Sequence, residues 1–556
     1  MKNAKFLSVL ALILAVTLFV IGCTPGNSLP NTTGGDETTK TPETTGETEA
    51  PNDGGYEDLK YGDKRLSLKN VSVHDPSIVY DHTTGRYYIF GSHRAWAFSN
   101  DLASWTTMSI SSLENNLSTL FADNIAWSAR GGAQGSNTGK YQVDGNMWAP
   151  DVIYNEDLGK WCMYMSINGD NYYSSIVMLT ADKINGNYEY QGTIVYSGFT
   201  NKQELADTNF EEVTGHTNIG PYVSGGRWNT SYGPNAIDPC VFYDEDGELW
   251  MSYGSWFGGI FLLKLDNKTG MRDLSYTYKN VANRSDEYLG FRISGGYGGT
   301  GEGSYIVWDK DTGYYYLYVS YCGLNATDNF SGYHLRLFRS KKVNGPYTDA
   351  MGHQAVLTSQ GASQEQVGVK LFGNYSFSKL SGSASKGYMS GGHNSAFIDT
   401  DGQHYLVYHT RFNTGNEGHE VRVHQQFMNE DGWPVTAVYA HQGSVISKDG
   451  YSTEDIVGEY EFIDHGVDWI TKKVGMLKTQ KVTLNEDGTI TGDVKGTWEQ
   501  RTGKDGNGYY VTIKIGDVTF KGVFFKQYNE SSNHNEVMTF TLIGNNDHSI
   551  WGSKIA

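Results

Sequence analysis

The sequence predicts an all-β protein: a five-bladed β-propeller followed by a small antiparallel β-barrel. Three observations carry this. Composition is the first: 39 Tyr, 13 Trp and 68 Gly against 11 Pro in 556 residues, a mixture that suits short strands joined by tight turns. The second is a formula that returns five times: a small polar or acidic lead-in, a short apolar strand, an acidic Gly-containing turn, then an aromatic-rich strand ending in Ser, Tyr or His. The third is a change of texture after about residue 448, where alternating strands separated by NEDG and DGNG turns read as a small barrel.

Taken in order, the chain opens with a positive start, MKNAK, and an apolar run, FLSVLALILAVTLFVIG, that leads into Cys23. Residues 1–22 read as a signal peptide. The Val-Ile-Gly-Cys ending resembles the bacterial lipoprotein signal, in which the cysteine becomes the lipid-bearing N-terminus. Residues 23–60 are rich in Thr, Pro, Glu and Gly and almost free of apolar side chains. Such a segment cannot bury enough surface to fold and is expected to be a flexible tether. The expected location is therefore extracellular, with the membrane touched only through an N-terminal lipid. The propeller is expected over 61–447 and the barrel over 448–556.

The five repeats begin as VHDPSIVYD at 73, NMWAPDVIYN at 146, NAIDPCVFYD at 235, GEGSYIVWD at 301 and GGHNSAFID at 391. In a propeller the innermost strand of each blade starts near the central axis. The lead-in residues Asp75, Asp151, Asp238, Glu302 and His393 should then converge on one end of a funnel. Carboxylates are costly to gather and desolvate unless something uses them. The turns DEDG at 244–247 and DTDG at 399–402 look like fragments of calcium loops. They lie between strands and lack the bidentate Glu at its distance, so they are read as turns.

The net charge of −19 argues against a nucleic-acid partner, which would demand a basic surface. Cys162, Cys240 and Cys322 are far apart, show no CxxC spacing and sit in apolar runs. They are expected to be buried free thiols.

The stretches HDPS at 74–77, NAIDP at 235–239, GTGEGSYI at 299–306 and GGHNS at 391–395 together resemble glycoside hydrolase family 43, and within it the endo-1,5-α-L-arabinanases. The resemblance runs from about residue 65 to 445. It implies an inverting hydrolase that cuts internal α-1,5-L-arabinofuranosidic bonds of arabinan. By position, Asp75 matches the general base, Glu302 the general acid, and Asp238 the third acid that orients Glu302 and raises its pKa. His393 matches a histidine that holds a calcium ion at the propeller centre; chemistry alone would have suggested zinc or no metal, since calcium prefers oxygen. Asn235, Ala236, Ile237 and Asp238, with Ser255, Trp256 and Phe257, match the stretches that line the sugar site. The residue types suit the chemistry: inversion needs one protonated and one ionised carboxyl, roughly 6.5–9.5 Å apart to admit a water.

Other residues stay open at this point. Asp151 is read as structural or supporting. Trp148 could stack on a sugar or belong to the core. Gly169 and His93 are read as turn and strand-end residues. Arg411 could bond to substrate or to a carboxylate. The polar stretches 200–235 and 355–390 are expected to be loops that reshape the cleft. The barrel resembles one attached to some extracellular arabinanases, and could bind carbohydrate or serve as a packing partner. The protein is expected to be a monomer. An exo-acting arabinofuranosidase or xylosidase of the same family, and a non-catalytic glycan-binding lipoprotein, are the competing readings. A fructan-cleaving relative is disfavoured, since those proteins carry Glu-Cys at the acid position and this chain has Glu302-Gly303.

Overall fold

The structure is a computed structural model that describes residues 64–555 except 133–138, 300, 324–331, 365 and 467–474. The signal peptide, Cys23 and the tether lie outside the described residues.

Five antiparallel sheets follow one another along the chain. Their innermost strands are Ser77–Asp81, Met147–Asn155, Cys240–Tyr243, Glu302–Asp309 and Tyr388–Ile398. Each packs beside the next, and the last returns to the first, so the ring is closed. The aromatic-rich second strands, Arg86–Gly91, Lys160–Ile167, Leu249–Tyr253, Tyr314–Tyr321 and His404–Phe412, pair directly with them. Strand alternation puts apolar side chains on both faces of each blade, and these meet in one core per blade junction. Tyr88, Phe90 and Trp96 of blade one meet Val152, Met163 and Leu179 of blade two. Cys162, Tyr164 and Met178 meet Val241, Met251 and Phe261. Cys240, Trp250 and Leu262 meet Ile306, Leu317 and Phe338. Tyr316, Leu335 and Leu337 meet Tyr388, Leu406 and Tyr408. Ile78, Tyr87 and Ile89 close the circle on Tyr405, Val407 and Val423. Cys162, Cys240 and Cys322 are buried free thiols, as expected.

The two long polar stretches pack down as structure. Phe199, Leu205, Phe210, Tyr222 and Trp228, in or beside the 200–235 stretch, are buried in the core between blades two and three. The 355–390 stretch supplies the outer strand of blade four, Val369–Phe372, and the strand Tyr375–Ser376 of blade five.

Eight antiparallel strands between Gly458 and Lys554 form the closed C-terminal barrel, filled by residues such as Phe462, Val511, Phe524, Phe540 and Ile550. The barrel is fused to the propeller by a shared core: Ile463, Val523, Phe525, Val537 and Trp551 pack with Phe372, Tyr375, Phe427 and Tyr439. Leu477–Lys478 also leaves the barrel and adds to blade five, parallel to Tyr375–Ser376.

Candidate active site

The mouth of the funnel is built from one repeated device. Asp75 (φ 54°), Ala149 (φ 38°), Asp238 (φ 59°), Gly303 (φ 58°) and His393 (φ 43°) stand at matching positions, two residues before regular pairing with the second strand begins or resumes after a bulge, and all are left-handed. For residues other than glycine this conformation is costly and persists only when the surroundings hold it. Here the second strand of the preceding blade does so. The backbone N–H of Ala149 donates to Ser92 Oγ at 2.8 Å, that of Asp238 to Ser166 Oγ at 2.9 Å, and that of His393 to Ser320 Oγ at 2.6 Å. The Asp75 N–H donates to Nδ1 of His409 at 3.1 Å. These acceptors are the Ser and His residues that end the aromatic strands in the sequence formula. Gly303 differs: its N–H donates to Asp238 Oδ2 at 3.1 Å. A Cβ on Gly303 would lie 2.8 Å from Cγ of His393, so only glycine fits.

This register corrects one expectation. Asp151 does not occupy the position of Asp75 and Asp238; Ala149 does. Asp151 lies two residues further along the strand, buried, where its carboxylate accepts from Ser77 Oγ and from the Val241 N–H at 2.6 Å. It staples blades one, two and three together, and burial pushes its pKa up to about 6.

Asp75, Asp238, Glu302 and His393 do converge. Asp75 Oδ1 lies 3.0 Å from Nδ1 of His393, and Oδ2 lies 2.7 Å from Nδ1 of His74 and 2.5 Å from Ser92 Oγ. Burial works to raise the Asp75 pKa, but the charge of His393 and the hydrogen bonds from His393 and His74 win and hold it well below the usual carboxylate range. Arg411, buried behind, donates to Nε2 of His74 at 3.2 Å. That bond leaves the His74 proton on Nδ1, facing Asp75. Arg411 therefore acts through a histidine rather than on the carboxylates themselves.

Glu302 is the opposite case. Burial first, and the neighbouring Asp238 carboxylate second, push its pKa up to about 7. The Tyr333 hydroxyl donates to Glu302 Oε1, and the Trp256 side chain also bonds it, which pulls the other way. Asp238 is itself raised to about 6, by burial opposed by the charge of His393. His393 is raised to about 9: burial would lower it, but Asp75, Asp238 and Glu302 together prevail. One carboxyl is thus kept protonated near neutral pH and another kept ionised in the same funnel, the division of labour that acid–base hydrolysis needs.

The predicted sugar-lining residues spread over several environments. Trp256 (φ 44°) and Phe257 (φ 40°) are half-buried and left-handed, stitched to the glycines just before Glu302 by Trp256 N–H to Gly301 O at 2.7 Å and Phe257 N–H to Gly299 O at 3.0 Å. Phe257 stands edge-on to Tyr172, 5.5 Å away. Asn235 is half-buried and Ser255 buried, paired across an isolated bridge. Ala236 packs in the core between blades two and three, and Ile237 is buried. Trp148 is half-buried, donates Nε1–H to Gly145 O at 3.0 Å and stands edge-on to His93 at 6.4 Å. Gly169 sits against the Tyr173 and Ser128 backbone. His74, His409, Ser92 and Tyr333 were missed as site residues. The signal for His74 lay in the quoted HDPS motif, and that for Ser92 and His409 in the strand endings; Tyr333 had none.

A propeller whose axis gathers one protonated and one ionised carboxyl defines a glycoside-cleaving enzyme. Comparison with known proteins agrees. Residues 194–434 match the family model described as glycosyl hydrolases family 43, and residues 438–552 match a C-terminal lipocalin-like domain of that family. The extracellular endo-α-(1→5)-L-arabinanase 2 of Bacillus subtilis is 37% identical over 496 residues, 88% of this chain and 94% of its own. That of Thermotoga petrophila is 35% identical over 513 residues, 89% of this chain and 96% of its own. The crystal structure of the endo-1,5-α-L-arabinanase from Thermotoga petrophila superposes with a TM-score of 0.72 at 36% identity, covering 88% of this chain and 100% of that one. This chain belongs to glycoside hydrolase family 43.

Proposed function

We propose that this protein is an endo-acting arabinanase that cleaves internal α-1,5-L-arabinofuranosidic bonds with inversion. The observation that carries the reading is the pairing of Glu302, raised to about 7, with Asp75, held ionised by His74 and His393. Two curated relatives, 37% and 35% identical, are named for this activity and cover 88% and 89% of this chain. Glu302 gives its proton to the leaving glycosidic oxygen. Asp75 takes a proton from the water that attacks the anomeric carbon from the other face. Asp238, fixed by the Gly303 N–H, keeps Glu302 protonated until bond cleavage. Tyr333 holds one oxygen of Glu302 and so sets the direction in which the proton is presented.

The residues also fit a calcium ion held by His393. Its Nδ1 faces the Asp75 carboxylate, the arrangement in which a histidine turns its other nitrogen toward a metal. The three carboxylates around it favour positive charge at this spot, so a bound ion would replace the proton that His393 otherwise carries, and water would supply most of the oxygen ligands that calcium prefers. When bound, the ion would add positive charge at the funnel mouth and favour ionised Asp75. The same reading includes secretion, lipid attachment at Cys23 and a monomeric state.

The test is hydrolysis of linear 1,5-α-arabinan by the mature chain beside Glu302→Ala, with products sized over time. Mid-length oligomers appearing first, and none from the variant, are expected. Arabinose alone from the outset would replace the endo reading by an exo one. No cleavage of arabinan, xylan or aryl glycosides would leave a glycan-binding protein.

A further inference from the structure

A second cluster of metal-ligand type lies outside the funnel, where the barrel meets blade four. Residues 349–353 form a tight turn, with the Asp349 N–H donating to His353 O at 3.1 Å and the Gly352 N–H to Asp349 O at 3.1 Å. The turn brings the His353 ring back over Asp349, Nδ1 lying 3.2 Å from Oδ2. From the other domain comes Asp547, in the hairpin between the last two barrel strands, left-handed at φ 63°. Its backbone is fixed to blade four by the Lys370 N–H, which donates to Asp547 O at 3.0 Å. The side chains of Asp349 and Asp547 are 0% exposed, while His353 is 43% exposed.

The unpartnered atom is Asp547 Oδ2. Oδ1 accepts from the N–H groups of Ala350 at 2.9 Å and Met351 at 3.3 Å. Oδ2 is buried with no hydrogen-bond partner. It points into the cluster, 3.8 Å from Nδ1 of His353. One ligand atom from each of the three residues falls within 4.8 Å of the other two. Two buried carboxylates side by side repel unless a proton or a cation lies between them. Separations of 3.2 and 3.8 Å suit donors sharing one ion at roughly 2.0–2.2 Å, and one imidazole with two single carboxylate oxygens is a zinc-type set. Asp349 Oδ1 accepts from the His353 N–H at 2.7 Å and Asp547 Oδ1 from Ala350 and Met351, while Asp349 Oδ2 accepts a single N–H, from Gly368 at 2.8 Å, and keeps a lone pair toward the cluster; each carboxylate thus offers one oxygen in a fixed direction. The exposed His353 gives the ion a route in and leaves a fourth position for water.

We propose that Asp349, His353 and Asp547 form a divalent metal site, with zinc the best fit, that clamps the C-terminal barrel to blade four. The clamp is structural: it removes the repulsion between the two domains' carboxylates and makes their docking depend on metal.

The mature chain, stripped with EDTA and dialysed against zinc chloride, is to be compared with Asp547→Asn and His353→Ala by metal analysis and thermal melting. The funnel histidines could also take zinc, so the decisive figure is a difference. Wild type is expected to hold one zinc equivalent more than either variant, and zinc to raise its melting temperature but not theirs. Affinity at this site should fall in His353→Ala by at least the roughly 10- to 100-fold that supporting residues of metal sites command. Because His353 is partly exposed, that variant keeps the fold if Asp547→Asn does not. Equal zinc content in all three, with wild-type melting that responds to lowered pH and not to zinc, would overturn the proposal in favour of a proton shared by the two aspartates.

Discussion

Asp151 and Asp238 make an instructive pair. Both sit on the innermost strand of a blade or at its start, both are almost completely buried, and burial raises each to about 6. Yet one is a staple and the other part of a reaction centre. The difference is two residues of register. Asp238 precedes its proline and occupies the left-handed position at the mouth, where it faces Glu302 through the Gly303 N–H. Asp151 follows its proline and points between blades, where Ser77 and Val241 consume its lone pairs. A raised carboxylate is therefore not in itself a mark of catalysis; what its neighbours leave free decides its use.

This contrast can be broken or sharpened experimentally. The largest effect belongs to the partner of Asp238: Glu302→Gln should cut kcat on arabinan by about 10²–10⁴-fold, the usual worth of a general acid, measured as initial rates with circular dichroism to confirm folding. The pH profile comes next. Glu302 must be protonated, so kcat/KM of the wild type should fall as pH rises through about 7. Replacing Asp238 by Asn removes the like charge that raises Glu302, so that alkaline limb should move to lower pH as the rate drops. An unmoved limb would mean that burial alone sets the acid.

Asp151→Asn should do the reverse. It should leave the pH limb in place and cost about 1–3 kcal/mol of stability, the price of a mismatched buried hydrogen bond, read by denaturant unfolding. The folded carboxyl is raised above its unfolded value, so native Asp151 retains a proton that the unfolded chain has lost. Its contribution to stability therefore declines as pH rises from about 4 through about 6. The Asn variant should flatten that slope. The smallest effect is expected from Ser166→Ala, which removes the acceptor for the Asp238 N–H. A loss of about 1 kcal/mol and a fall in rate of less than tenfold should follow, with substrate affinity unchanged.

Much of this architecture was legible in the chain. The alternation of apolar residues and the acidic turns announced sheets, and five returns of one formula announced blades. The Ser and His at the strand ends were visible as a regularity, but their purpose was not. They accept the N–H of a residue in the next blade, and no local pattern states that partner. The register of Asp151 is also written in the sequence, since Asp75 and Asp238 come before a proline and Asp151 after one; the shared residue type conceals it. The setting of Asp75 could not be read in this way. His74, His393 and His409 come from two blades that the chain visits first and last, and only ring closure brings them together. The 200–235 and 355–390 stretches looked like loops because their polar residues outnumber the few large aromatics, which turn out to be the parts that pack.

The short strand Leu477–Lys478 leaves a domain boundary in an unusual place. Blade five, unlike its neighbours, takes its last strand from beyond the point where the propeller sequence ends. A chain cut near residue 447 would expose the edge of Tyr375–Ser376 and the apolar face over Phe372 and Tyr439, and bare edges of this kind recruit other chains. The barrel is in that sense a built-in chaperone for the last blade: synthesised after it, and needed to keep it from finding a partner in another molecule.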